Sequence, residues 1–84
     1  MLTKHATIRM QQRGIPLFIV DCLQQFGAEQ SDRYGAIRYF FDKHSLKRLE
    51  TYLGKQTVRA IERYRNCFAV VSTEGLVITT GFIH

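Results

Sequence analysis

At 84 residues, with 45% hydrophobic and 12% aromatic side chains, the chain is long enough for one modest core and too short for two. That composition excludes a disordered chain, and no apolar run reaches the length of a bilayer-spanning helix. A formal charge of +5, from 12 Lys and Arg against 7 Asp and Glu, fits a polyanionic partner.

The sequence reads as a single domain over residues 1–84, with no repeat, linker or low-complexity stretch. Its opening, MLTKHATIRM, lacks the apolar stretch of a signal peptide, so a cytoplasmic protein is the expectation. The spacing predicts a first helix from about Lys4 to Arg13, capped by Thr3 and closed by Gly14. Ile15 and Pro16 open a second, whose stripe is Ile15, Ile19, Cys22, Leu23 and Phe26, ended by Gly27. Ser31 and Asp32 read as a turn. A strand follows from Gly35 to Asp42, with Ile37, Tyr39 and Phe41 on one face and Ala36, Arg38 and Phe40 on the other. Ser45 is the expected cap of a third helix, with Leu46, Leu49 and Leu53 inward and Gly54 at its end. Residues 55–65, KQTVRAIERYR, fit either helix or strand. Helix is preferred, because it puts Thr57, Ile61 and Tyr64 on one face, and it lines up Lys55, Arg59 and Arg63 on another. CFAVVSTEGLVITTGFI is two strands joined by a tight turn at Gly75. The sum is an α+β domain, with helices against a small antiparallel sheet.

Cys22 and Cys67 stand far apart in apolar settings, with no metal-ligand spacing around either. Two buried reduced thiols are the first account of them and a disulfide between them the lesser one, and neither a metal nor another cofactor is expected.

On a helical wheel, His5, Arg9 and Arg13 share the arc of Leu2, Ala6, Ile8 and Met10, whereas Thr3, Lys4, Thr7 and Gln11 lie opposite. The arc predicts a mixed polar and apolar face turned inward. Burying an unpaired guanidinium is prohibitive. Either the arginines pair with carboxylates or carbonyls as internal struts, or the face lines a wet cleft. In the second case His5, in the first helical turn, is disfavoured as imidazolium by the helix dipole and can act as a base. Arg9, one turn on, can hold a phosphate through its fork of donors. A base and an anion clamp one turn apart suit phosphodiester chemistry.

KHATIRMQQRGIP, RYGAIRYFF and the closing FAVVSTEGLVITTGF resemble the domain-of-unknown-function family numbered 4258, over nearly the whole chain. The resemblance implies the barnase/EndoU/colicin/RelE-like toxin fold, with two N-terminal helices on an antiparallel sheet of about four strands. It implies metal-independent RNA cleavage, often within a toxin–antitoxin or polymorphic-toxin system. RNA and an acidic antitoxin or immunity protein are the partners it implies, with no membrane. The family's His and two Arg map onto His5, Arg9 and Arg13. Tyr34, Arg38 and Tyr39 match sheet residues of RelE-like toxins by type only. The sequence ends at GFIH without a basic tail, a departure that would remove backbone-binding charge.

Cleavage without metal needs a base, an acid and cations around the phosphorane. His5, Arg9 and Arg38 are the catalytic candidates. Arg13, Tyr34, Lys55, Arg59 and Arg63 are the substrate-binding candidates, with Lys47 and Arg48 extending the basic surface. No second proton-transfer residue stands out: His44 reads as an exposed loop residue beside the cap, and His84 as a frayed end. The alternative is therefore a non-catalytic RNA-binding or protein-interaction module of the same fold. Apolar PLFIVDCLQQF argues against a DNA-reading helix-turn-helix. Oligomeric state is not encoded in any of these features.

Overall fold

Thr3 stands where the chain turns helical. Its side-chain oxygen accepts from the Ala6 amide at 3.1 Å, satisfying one of the donors that a helix start leaves open. In this computed structural model, which describes residues 1–83, that cap begins α1 (Lys4–Arg13). Gly14, at φ 64°, closes α1 in the left-handed conformation that only glycine adopts cheaply. His84 lies outside the described residues.

The remaining order is α2 (Leu17–Phe26), β1 (Ala28–Ser31), β2 (Ile37–Phe40), α3 (Lys43–Leu53), α4 (Lys55–Ala60), a single 3-10 turn (Glu62–Tyr64), β3 (Cys67–Val71) and β4 (Val77–Phe82). The strands form one antiparallel sheet in the order β1-β2-β3-β4. The fold is α+β, as expected. Before α1, the chain lies along the outer edge of β4: the Thr3 amide donates to the Val77 carbonyl and the Val77 amide to the Met1 carbonyl. That edge of the sheet is thus covered at Val77, and β1 forms the other edge.

Alternation along β3 decides which face holds the core. Cys67, Ala69 and Val71 are buried, whereas Phe68 and Val70 between them are half-buried. The buried set meets Ala6 of α1 and Ile15, Ile19, Val20 and Leu23 of the second helical segment. Fully burying Ile19 or Leu23 contributes about 1.5–3 kcal/mol each. On the same face, Tyr39, Phe41, Ile61, Tyr64 and Phe82 pack around the cluster.

Register in β4 shifts once. Val70 pairs with Thr79 but Val71 pairs with Val77, which leaves Ile78 as the extra residue of a bulge. Without it, Val77 and Thr80 would project to opposite faces. With it, both reach the core, at 1% and 2% exposure. Thr79 and Gly81 fall on the second face.

Several sequence expectations change here. β1 is a fourth strand that AEQS does not announce, since it has neither alternation nor β-branched residues. It exists because Asp32 builds a tight hairpin, its carboxylate accepting from the amides of Tyr34 and Ala36, so that the preceding residues meet β2. β2 is shorter than the expected Gly35–Asp42. Asp42, not Ser45, caps α3: each side chain bonds the other's backbone amide, at 2.8 and 2.7 Å. The Ser45 amide hydrogen bond holds the Asp42 carboxyl below its ordinary value. Residues 55–65 are helical at Lys55–Ala60, but the axis breaks at Ile61, so Arg63 is not in line with Lys55 and Arg59.

Candidate nucleic-acid interface on the second sheet face

The helical layer sits on the Ala69 face. The other face carries Arg38, Phe40, Phe68, Val70 and Thr79, all half-buried. Register sets their neighbours: Arg38 lies opposite Val70, and Phe40 opposite Phe68, which itself lies opposite Gly81. Arg38 and Phe68 are therefore diagonal across β2 and β3, a distance that a long side chain bridges. The Arg38 guanidinium carbon lies 4.7 Å from the Phe68 ring centre, within range of a cation–π contact.

Gly81 explains where that ring goes. A Cβ at this position would come within 3.1 and 3.2 Å of Phe68 Cε1 and Cζ, and 3.5 Å of Arg13 Nε. A Cβ here would press on the ring, which would have to shift by a few tenths of an ångström, so glycine gives the ring its room across β4. The same gap admits Arg13, arriving from the last turn of α1. Arg13, from the helix, and the edge of the Phe68 ring thus flank the same glycine, while Arg38, from the sheet, lies over that ring. Among the described residues, the only salt bridge is Arg65 to Glu62, at 3.6 Å, so neither arginine is paired with a carboxylate there.

The inward arc expected of α1 is corrected by this arrangement. Ala6 is the one buried residue of the helix; His5 and Arg13 are exposed, and Arg9 is half-buried. α1 packs against β4, the edge strand, with Ala6 inward, and Arg13 reaches Gly81 on that strand. Arg9 and Arg13 are not internal struts.

The other candidates separate. Tyr34 is 80% exposed at the tip of the β1–β2 hairpin, with Arg33 stacked over it at 5.5 Å. Arg63 stacks on Tyr64 at 5.1 Å. Arg48 donates to the Phe26 carbonyl at 2.7 Å, closing the last turn of α2 instead of joining a basic track. Lys55 and Arg59 border a groove between α3 and α4 together with Lys43 and Lys47. His44 is exposed, in the first turn of α3 and not in a loop. Tyr39 packs against the core.

No family model, curated protein or solved structure matches this chain. Chemistry alone therefore has to carry the reading.

Phe68 and Gly81 are the residues that the sequence did not single out. Glycine inside a strand is a signal of close approach, and TTGF held it. The face offers planar cations, an aromatic surface and a threonine hydroxyl. Such groups bind phosphate and stack on bases. Among the described residues no group of three His, Cys, Asp or Glu side chains gathers as a metal site, and no helix is long and apolar enough to cross a membrane.

Cys67 and Cys22 are buried free thiols. Burial pushes Cys67 up to about 11. Cys22 is also raised, by burial first and by the Asp21 charge second.

Proposed function

We propose that the second face of the sheet binds single-stranded RNA, with Arg13 and Arg38 as phosphate-binding cations and the Arg38–Phe68 stack as the surface that a base lies against. The observation that supports this reading is a pair of carboxylate-free arginines beside one half-buried ring, Arg38 over Phe68 and Arg13 at the Gly81 gap that the ring borders. A guanidinium presents its donors in a fork that matches phosphate oxygens. An aromatic side chain on an open face takes an unstacked base, which a duplex does not offer. The net charge of +5 adds long-range attraction for a polyanion.

Cleavage is the second reading, in line with the toxin-like resemblance. It is favoured by His5 and Arg9, one turn apart on the helix that delivers Arg13. Arginine does not give up its proton at neutral pH, so the two arginines stabilise charge without moving protons. A base would have to come from His5.

A labelled single-stranded RNA, titrated in EDTA at several salt concentrations, tests both. Binding weakens with salt, and each of Arg13→Ala and Arg38→Ala lowers the slope of log K against log salt by about 0.7. Unchanged binding in both folded variants would remove the two arginines from the site. Product formation by the wild type that disappears in His5→Ala would add cleavage to binding.

A further inference from the structure

We propose that the groove between α3 and α4 binds a small amphiphilic anion, a molecule with a saturated hydrocarbon body and one carboxylate. This inference stands apart from the reading of the sheet face, because none of the residues that line the groove belongs to a strand.

The groove holds about 530 Å³, the size of a small-molecule site. Its floor is hydrocarbon only: Phe41, Leu46, Val58 and Ile61, all half-buried, over the buried Leu49. Phe41 and Ile61 also pack against the central core, so the floor is an edge of that core left open. None of these side chains offers a hydrogen bond. The rim is the reverse. Lys43 and Lys47 on α3 face Lys55 and Arg59 on α4 as two rows. All four are exposed, and none takes part in a salt bridge among the described residues. The acids at the rim are Glu50 and Glu62, and Glu62 is engaged by Arg65 at 3.6 Å.

Hydrocarbon below and uncompensated cations above sort the ligands. An inorganic anion would meet the rim and leave the floor to water. A nucleotide carries polar sugar and base edges, which the floor cannot satisfy. A neutral hydrocarbon would leave the cations without a counter-charge. A bilayer surface is disfavoured by the rim itself. None of the exposed large apolar residues among the described residues lines the groove, so nothing apolar projects there to enter acyl chains. A carboxylate on a saturated chain satisfies both levels. The chain fills the floor, and the carboxylate meets the donors of Arg59 and the lysine charges.

Calorimetric titration and amide chemical-shift mapping on the full chain test this, with hexanoate, octanoate and decanoate below their micellar concentrations. The expected result is about fourfold tighter binding for each CH₂ added. Shifts should centre on lining residues such as Leu46 and Val58. Octylammonium, of similar length and opposite charge, should bind at least about tenfold more weakly than octanoate. A Lys47→Gln/Arg59→Gln variant, whose exposed positions leave the core intact and whose fold is verified by circular dichroism, should lose about tenfold for octanoate and nothing for 1-octanol. Absence of binding across the series would overturn the proposal. Affinity that does not rise with chain length would do the same, because it would mean simple ion exchange at the rim. So would shifts on the second sheet face in place of the groove, equal binding of octylammonium and octanoate, or sedimentation with phosphatidylglycerol vesicles by a protein that binds no free carboxylate.

Discussion

The Arg38 guanidinium lies 4.7 Å from the centre of the Phe68 ring, although thirty residues of chain separate the two positions. Antiparallel pairing of β2 with β3 is what makes them diagonal neighbours. The ring engages the guanidinium through its π face and takes none of its N–H donors in a conventional hydrogen bond. Arg38→Lys therefore separates charge from planarity. The lysine variant is expected to bind RNA more weakly while keeping the wild-type salt slope, because its charge remains. Arg38→Ala lowers both. Salt-dependent titration of the two variants side by side checks this.

Gly81 is expected to accept a side chain only at a cost in stability. Gly81→Ala brings a methyl group within 3.1–3.2 Å of Phe68 and 3.5 Å of Arg13, and it should cost about 1–3 kcal/mol by urea denaturation. It should also weaken RNA binding by displacing the ring. A double-mutant cycle with Phe68→Leu is expected to return a large part of the alanine penalty, since the smaller side chain vacates the site.

Thr80 presents the opposite case. Its hydroxyl is buried at 2% exposure and has no hydrogen-bond partner among the described residues. A buried unsatisfied polar atom costs about 1–3 kcal/mol. Thr80→Val keeps the shape and removes the hydroxyl, so it should raise stability by about 1 kcal/mol, measured as a shift of the urea midpoint at constant slope.

Alkaline pH should loosen the fold through Cys67. Its thiol is raised from the ordinary 9.0 to about 11 by burial. The folded state therefore holds this proton more tightly than the unfolded chain. That contribution is complete below pH 9 and is lost as pH rises towards 11, at about 1.4 kcal/mol per pH unit. Urea titrations at pH 8, 9, 10 and 11 should give a shallower decline for Cys67→Ala than for the wild type. Tyrosine and lysine titrations are common to both chains and cancel in the comparison.

Helix ends and the closing hairpin were legible because they depend on local chemistry. Thr3, Gly14 and Gly27 mark their boundaries by cap geometry, and the stripe Ile15, Ile19, Cys22 and Leu23 buries as its period requires. β1 was not legible, because AEQS pairs only through the hairpin that Asp32 folds. The facing of α1 was misread. A wheel puts residues on an arc, but it does not say whether the neighbour on that arc is a core or a sheet margin. His5 and Arg13 are exposed for that reason.

Composition and local pattern determined the α+β class, the single core, the positive charge and the positions of most helices, since each follows from residues a few places apart. Tertiary structure alone decided the candidate sites. The Arg13–Phe68–Arg38 cluster needs strand register, the β4 bulge and a glycine opposite a phenylalanine. The two cation rows of the groove need α3 and α4 to lie side by side. Contacts of that kind arise from how elements meet, and no sequence window spans them.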